Sequence, residues 1–400
     1  MTATEQLDAA IVGAGPAGLA AACLLAGAGL KVSIFAGREE PRDDPRAVAL
    51  MLPSIRLLRH LGIDPKDPAL AGSPLRRLRI VDDTGRLFAS APVTFEAREI
   101  GEEAFGWNLP IVPLREALKA RAATLGVPIA PQDVETFDAG DREARLVASD
   151  GTTASARVVI GADGSRSRMR AQAGIGALEW SYDQTAIAAG FSHSAPHGDT
   201  STEFHKEAGP LTTVPGAGNR STLVWMERPE RAAELMAMTE AEFARVLQSE
   251  IHGTLGLVSD VGVRRAFPMR GLTATPFAQG RLMLVGEAAH AIPPIGAQGL
   301  NLSLRDAATA AELIVTAIES GKDPGDRTVM ETYDRLRRRD VAPRLGIIDT
   351  VNRTLLSGWA LPHAARSLGL ALASRIGPAR QQVLRQGAGL SEDLPAVMQG

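Results

Sequence analysis

The sequence contains few of the features that assign a protein directly to a functional class. Only one of its 400 residues is a cysteine, Cys23, which excludes an internal disulfide and is typical of a reducing compartment. The formal net charge is only −3, so no overall field favours nucleic acid. Aromatic residues make up 4% of the chain, too few to argue for an aromatic cage. What remains is a globular chain long enough for two or three domains.

Long apolar runs and metal-ligand patterns are also missing. The uncharged stretch from Ala9 to Gly29 follows a segment without Lys or Arg, and it is interrupted by Gly13, Gly15, Pro16, Gly18 and Gly27. It therefore predicts neither a signal peptide nor a membrane span. The seven histidines have no metal-ligand spacing, and there is no G-x-S-x-G or P-loop. The sequence predicts a soluble or peripheral protein without a resident metal, and argues against hydrolases and kinases.

Hydrophobic periodicity predicts an α/β fold with a β-rich insertion. Residues 8–12 and 31–35 read as buried strands on either side of a helix at 19–28, which makes a βαβ unit. Further patterns predict hairpins at 75–95 and 145–160, an antiparallel sheet within 185–227, a buried strand at 281–285, and helices at 53–61, 114–125, 239–251, 301–319 and beyond 329.

The turn of the βαβ unit reads Gly13-Ala14-Gly15-Pro16-Ala17-Gly18. In such a turn the first glycine makes the tight bend, the second lets the backbone approach a pyrophosphate, and the third permits close packing of helix on strand. The N-terminus of the following helix offers unpaired N–H groups to the phosphates. Because the motif follows a strand and opens a helix, it predicts a dinucleotide site.

The second strand of this unit ends without the acid that usually binds the adenosine ribose. The corresponding position is Ala36, which we assign to the cofactor site by its spacing. Two nearby acids, Glu39 and Glu40, are candidates to replace the missing carboxylate, although ordinary surface carboxylates are an equal alternative.

Three later loops place glycines or acids after predicted strands. They are Gly161–Ser167, which contains Asp163-Gly164, then Gly286–His290, and then Pro293–Asn301. The carboxyl ends of strands are where doubly wound sheets bind ligands. Together with the first motif, these loops predict one extended cofactor site. His290 lies inside a motif, and we interpret it as a packing or supporting residue rather than an acid–base catalyst.

These motifs resemble those of the FAD-dependent aromatic hydroxylases, the flavoprotein monooxygenases of the p-hydroxybenzoate hydroxylase type. The resemblance implies that Asp163 and Gly164 contact FAD and the incoming NAD(P)H, that Gly286 and Glu287 bind the ribityl chain, and that Arg46 lies near the flavin. It also implies a loop against the isoalloxazine ring that acts mainly through its backbone, formed by Pro294, Gly296, Ala297, Gln298, Gly299, Leu300 and Asn301. Pro294, Gly299, Leu300 and Asn301 are its candidate catalytic residues.

The closest resemblance is to the ubiquinone-biosynthesis branch of that family. It rests on residues 338–340, 349–353, 366–370 and 385–389, and on Asn108-Leu109-Pro110. The chain departs from the family pattern at Glu287, where Asp is usual, at the reversed order Gly296-Ala297, and at Ile111 and Val112, where the branch has Asn and Arg.

The resemblance implies that FAD is reduced by NAD(P)H, reacts with O₂ to a flavin C4a-hydroperoxide, and hydroxylates a phenolic ring. The expected substrate is a polyprenyl phenol of ubiquinone biosynthesis. One alternative is a soluble aromatic or polyketide substrate. Another is a non-catalytic homologue that acts as a scaffold in a biosynthetic complex.

The implied organisation has a discontinuous Rossmann-like FAD-binding domain at 1–73, 101–172 and 268–330. A substrate domain at 74–100 and 173–267 interrupts it, and a helical C-terminal region follows at 331–400. The expected substrate pocket lies under the antiparallel sheet, with Leu211, Val214, Leu223 and Trp225 as candidate lining residues. The arginine-rich C-terminal region suits peripheral contact with a membrane or a multi-enzyme complex, with solvated helix faces as the alternative. A cytoplasmic location and assembly with a second copy are compatible with these features.

Overall fold

The computed structural model describes residues 6–37, 43–85, 91–356, 380–381, 384–385, 387–390 and 393–400. Several hypotheses from the sequence lie outside these residues: Glu39 and Glu40 as replacement acids, and the family resemblance at 366–370. Within the described part of the chain, no helix is long and apolar enough to cross a membrane.

The strands of the described residues are numbered β1 to β20. In chain order they are Leu7–Val12, Val32–Phe35, Ala47–Met51, Ser73–Pro74, Arg77–Asp82, Val93–Glu96, Gly106–Pro110, Ile129–Ala130, Val134–Ala139, Ala144–Ala148, Thr153–Gly161, Gly176–His193, Thr200–Lys206, Gly209–Pro215, Arg220–Glu227, Val258–Ser259, Arg265–Thr275, Ala278–Gln279, Leu282–Leu284 and His290–Ala291.

The α-helices of the same residues are numbered α1 to α8. They are Pro16–Gly27, Leu52–His60, Ile111–Thr124, Arg168–Gln172, Pro229–Ala237, Glu240–Glu250, Gln298–Glu319 and Arg327–Leu356. Short 3-10 helices cover Pro68–Leu70, Ala97–Ile100, Gly286–Ala288 and Ala396–Met398.

The first sheet is a mostly parallel layer in the order β18-β19-β11-β1-β2-β8. The pairs β19–β11, β11–β1, β1–β2 and β2–β8 are parallel, and the β9–β10 hairpin adds to β11. Helix α1 packs against α3 and α7, and its apolar residues from Ala17 to Leu25 are buried. Its alanines and glycines allow this close approach on several sides. The predicted Rossmann-like α/β architecture is confirmed.

Some boundaries differ from those predicted. Helix α1 begins at Pro16 rather than at Leu19, because proline suits the first helical position, where its missing N–H is not needed. Helix α7 begins at Gln298 rather than at Asn301, immediately after the left-handed Gly296 and Ala297. Helix α6 begins as predicted, with Thr239 and Glu242 forming a capping box.

The second sheet has the order β20-β17-β12-β15-β14-β13-β5-β6, with β16 paired to β12. Helices α5 and α6 cover one face, where Phe243 and Leu247 join a buried cluster with Trp225. The antiparallel sheet predicted within 185–227 is confirmed by the pairs β12–β15, β15–β14 and β14–β13. Beyond that range, β5 joins the edge of the sheet and pairs in parallel with β13. These strands lie far apart in the chain, so alternation within each segment did not reveal their relative direction.

A three-stranded sheet, β3-β7-β4, stands beside the second sheet. Met51 and Phe105 at its edge form an apolar cluster with Phe95, against which Leu78 and Ile80 of β5 pack. The uncovered face of the large antiparallel sheet is thereby held over the carboxyl ends of the parallel strands.

Candidate active site

The loops after β1, β11 and β19 open into one cavity of about 1290 Å³. Their strands are neighbours in the order β19-β11-β1 and run parallel, so their carboxyl ends lie at the same edge of the sheet. The loop that precedes α7 reaches the same cavity. The residues predicted from the motifs that line it are Gly15, Pro16, Ala17, Gly18, Arg46, Gly164, Gly286, Glu287, Pro294, Gly296, Ala297, Gln298, Gly299 and Leu300.

Two glycines of the first loop have different surroundings. Gly13 has φ +113°, and a Cβ built there would lie 2.2 Å from the carbonyl oxygen of Ala162. It is therefore the point where the loops after β1 and β11 touch. Gly15 has an ordinary φ of −71°, lines the cavity, and has no heavy atom within 4 Å of a built Cβ. The space beside Gly15 fits a pyrophosphate that approaches naked main chain at the N-terminus of α1.

The loop after β11 separates the roles of Asp163 and Gly164. The carboxylate of Asp163 accepts hydrogen bonds from the Ser167 hydroxyl, at 2.6 Å, and from the backbone N–H of Met169, at 3.1 Å. Gly164, with φ +82°, faces the cavity. Asp163 therefore stabilises the conformation of the loop, and Gly164 forms part of the cavity surface. The buried Arg170 then joins this loop to the next, because its guanidinium donates to the carbonyls of Ser165 and Ala288.

The N-terminus of α7 forms another wall of the cavity, through Gln298, Gly299 and Leu300. The first N–H groups of a helix have no partner within it and carry partial positive charge, so this wall favours an anionic group. Asn301 lies behind the wall. Its Oδ1 accepts from the N–H of Met51 and the hydroxyl of Ser54, and its Nδ2 donates to the carbonyls of Ala49 and Ala297. Asn301 thus fastens the loop to β3 and α2.

Arg46 lines the cavity, and the carboxylate of Asp44 stabilises its positive charge. Its guanidinium makes paired hydrogen bonds to Asp44, the shorter at 2.7 Å, and stands over the Phe267 ring at 5.2 Å. The hydrogen bond to Asp44 raises the pKa of Arg46, against the opposing effect of burial, and the charges of Asp44 and Glu287 raise it further. A permanent cation and an exposed carboxylate, Glu287, therefore face the same part of the cavity.

The similarity of this chain to known proteins points to the same cofactor as the geometry of the cavity. A family model described as "FAD binding domain" matches residues 6–345. The chain belongs to this FAD-binding family. It is 34% identical to the ubiquinone hydroxylase UbiL of Rhodospirillum rubrum, with 100% of this chain and 94% of that protein covered. It is 29% identical to the 3-demethoxyubiquinol 3-hydroxylase of Escherichia coli, with 96% and 99% covered.

Solved structures support the same fold. The p-nitrophenol 4-monooxygenase PnpA from Pseudomonas putida superposes with a TM-score of 0.78 at 20% identity, over 98% of this chain and 100% of that one. The predicted class, an FAD-dependent aromatic hydroxylase of the monooxygenase family, is confirmed by the family match and the relatives.

The surroundings of Ala36 differ from the prediction. Ala36 does not line the cavity; its N–H donates to Ala130 and pairs β2 with the strand beside it. Among the described residues, Asp133 places a carboxylate at this strand end, and its Oδ1 accepts from the N–H of Gly37 at 3.1 Å. An acid is therefore present, but it comes from a loop almost a hundred residues further along the chain. No local pattern points to it.

Sequence reasoning also missed a buried charge network behind the FAD loops. The carboxylate of Asp306, fully buried in α7, accepts from the N–H of Gly286 at 2.9 Å, from Nε2 of His290 at 2.6 Å and from Nε of Arg337 at 2.6 Å. Burial alone would raise the pKa of Asp306, but the charges of His290 and Arg337 hold that pKa below its usual value. His290 thus has the supporting position expected of it, and Asp306 fixes the Gly286 loop to α8.

The substrate-side residues need a correction. Val214 lines the cavity, whereas Leu211, Leu223 and Trp225 lie in the buried cluster under α5 and α6, on the opposite face of the sheet. Successive side chains of a strand point to opposite faces, so an error of one residue moves the side chain to the other side. The largest apolar side chains belong to the core, and the cavity face carries smaller residues, namely Thr212, Thr222, Val224, Ala186 and Ala188.

Proposed function

We propose that this protein uses FAD, NAD(P)H and O₂ to hydroxylate the ring of a polyprenyl phenol in ubiquinone biosynthesis. The observation that carries the proposal is the continuity of the cavity, which runs from the FAD loops to the free face of the antiparallel sheet. Its volume of about 1290 Å³ exceeds the range of about 300–1,000 Å³ for a site that holds one small ligand. This supports a cofactor and an apolar substrate side by side.

The fit to FAD is supported by the open side of Gly15 and by the N-termini of α1 and α7. When bound, FAD supplies the redox chemistry, taking a hydride from the nicotinamide and activating O₂. The chain's own contribution is to bind and orient. The N–H groups at Gln298 to Leu300 stabilise negative charge at the flavin edge, and the apolar walls exclude water.

We further propose peripheral contact with a lipid surface through α8, which would bring the enzyme to a water-insoluble substrate. Among the side chains of this helix that the structure describes, Leu336 is 37% exposed and Ile347 is 64% exposed. Exposed arginines such as Arg338 and Arg353, each paired with an aspartate one turn earlier, lie on the same helix. Arginines with interspersed apolar residues suit a membrane that contains anionic lipid. Co-sedimentation with vesicles of anionic and of neutral lipid tests this; equal binding to both contradicts it.

We also propose that the chain divides as the sequence suggests, with FAD-binding segments at 1–73, 101–172 and 268–330, a substrate domain at 74–100 and 173–267, and a C-terminal region from 331. The two large sheets, each with its own apolar cluster, support this division.

The function is tested on the purified protein and in a deletion strain. We expect a yellow protein that releases FAD on denaturation, NAD(P)H oxidation stimulated by a prenylated phenol, and accumulation of a prenylated precursor in the deletion strain. Stimulation by small hydroxybenzoates with normal ubiquinone levels would favour a soluble substrate. A colourless protein that takes up no added FAD would favour a scaffold.

A further inference from the structure

Glu203 and His205 form a polar pair on the cavity side of the antiparallel sheet. They lie two residues apart on β13 and so share a face, while Phe204 between them is buried in the cluster on the other side. Glu203 lines the cavity and lies in register with Thr212 of β14, which lies in register with Val224 of β15. A carboxylate thus stands in the cavity wall beside Thr212 and one strand away from Val224.

His205 holds the carboxylate of Glu203 in a fixed orientation, as a hydrogen-bond acceptor. Oε1 of Glu203 lies 2.6 Å from Nε2 of His205, and since a carboxylate oxygen accepts, His205 is the donor. The side chain of His205 is 8% exposed and that of Glu203 21%. Within the described residues Oε2 of Glu203 has no hydrogen-bond partner. One oxygen is therefore held, and the other is available toward the cavity.

The other carboxylates that line the cavity have different surroundings. Glu179 lies 3.8 Å from Arg170, which joins two FAD loops, and Glu287 belongs to the loop after β19 itself. Glu179 also belongs to the large sheet, on β12, but among the cavity-lining carboxylates of the described chain Glu203 is the one whose ion-pair partner, His205, lies outside these loops. Its position matches the ring of a substrate rather than the cofactor.

Glu203 and the flavin-ring loop line the same cavity. Met226, on the same face and two residues after Val224, packs against Ile295 of that loop. Glu203 lies two strands from Val224, about 10 Å at the usual spacing of strands. A substituted aromatic ring bound in this part of the cavity would lie between the loop and Glu203.

We propose that Glu203, oriented by His205, accepts a hydrogen bond from the ring hydroxyl of the substrate and so selects phenols and sets which ring carbon faces the flavin. This inference rests on the proposed function. It adds a specificity-determining residue and a substrate orientation, with the hydroxyl toward β13 and the carbon to be oxidised toward the Pro294–Leu300 loop.

The test measures binding without turnover. Wild type, Glu203→Gln and Glu203→Leu, all loaded with FAD, are titrated with 2-prenylphenol and with its methyl ether, and the change of the flavin spectrum gives Kd. We expect wild type to prefer the phenol by about 10-fold or more, as for a hydrogen bond to a charged group. Glu203→Gln, which keeps an acceptor without the charge, should retain part of this preference, and Glu203→Leu none.

The matched control is Glu207→Gln, which removes an exposed carboxylate just beyond the same strand and should keep the wild-type preference. FAD content and thermal unfolding establish whether each variant is folded. If Glu203→Leu does not fold, the comparison of Glu203→Gln with wild type decides the test. An unchanged preference in Glu203→Gln and Glu203→Leu would overturn the role of Glu203 while leaving the hydroxylase proposal intact. Wild type that holds FAD but binds neither compound would overturn both.

Discussion

The two walls of the cavity are built differently. On the FAD side, the residues that meet the cavity come in short continuous runs such as 15–18, 285–287 and 294–300, and many of them present backbone rather than side chain. On the sheet side, β13, β14 and β15 contribute residues at alternate positions, as with Glu203, Thr212 and Val214. A main-chain site needs glycines and helix starts at fixed spacing, whereas a side-chain site depends on which face of each strand is turned inward. The first leaves a motif in the sequence, and the second does not.

The largest expected effect separates two glycines of the FAD side. Gly15→Val should fold but lose FAD, because its side chain would fill the space left for the pyrophosphate. Gly13→Val should fail to fold, because its φ of +113° and the oxygen of Ala162 leave no room for a Cβ. FAD absorbance and circular dichroism check both variants. Full FAD content in Gly15→Val would refute the placement of the pyrophosphate.

The second prediction compares two faces of the antiparallel sheet. Trp225→Ala should lower the free energy of unfolding by about 3–5 kcal/mol, because this side chain is fully buried under α5 and α6. Val214→Ala, on the cavity wall, should cost only about 1.6 kcal/mol and should instead raise KM for the substrate. Urea unfolding and steady-state kinetics measure the two effects. If Trp225→Ala changes KM without loss of stability, the assignment of faces is wrong.

The third prediction concerns the link between α7 and α8. Burial would raise the pKa of Asp340, but Arg305, Arg337 and Arg344 lower it from 3.8 to about 2. Its stabilising contribution, about 2 kcal/mol, is therefore complete above about pH 4 and is lost as the pH falls toward 2. Asp340→Asn should be less stable by this amount at pH 7.

Urea unfolding at a series of pH values checks this prediction. The difference in stability between Asp340→Asn and wild type should narrow as the pH falls from 5 to 3. The control is Glu331→Gln, which breaks an exposed pair with Arg327 and should have no measurable effect. A difference that stays constant down to pH 3 would rule out the charge of Asp340 as its cause.

The smallest expected effect is a change in stability at Ala297, in the loop that precedes α7. Ala297 has φ +54°, a conformation that costs a residue with a Cβ about 1–2 kcal/mol. Ala297→Gly should therefore raise stability, by about 1 kcal/mol or less after the entropy cost of glycine. Ala120→Gly, at an exposed position within α3, should act in the opposite direction by a similar amount. Thermal unfolding of both variants measures these changes in stability. A lower stability of Ala297→Gly than of wild type would contradict the strain at Ala297.

The sequence predicted most of the FAD side and little of its support. The motifs located the loops that contain Gly15, Gly164 and Gly286, because each follows a buried strand, and the family resemblance located the segment with Gly299. Asp306 was missed, since it lies in a helix and its partners at Gly286 and Arg337 are distant in the chain. On the sheet side, the spacing of Glu203 and His205 could have signalled a shared face, but not which face meets the cavity.

By itself, the sequence determined a strand, a glycine-rich turn and a helix start whose bare main chain leaves room for a pyrophosphate, because glycines at this spacing carry no side chain to block it. Only the tertiary structure decided that β5 and β13 run in parallel, that Trp225 faces the core while Val214 faces the cavity, and that Asp133 stands where Ala36 offers no acid. Strand register and hydrogen bonds between distant segments depend on the packing of the whole chain, and local patterns do not encode them.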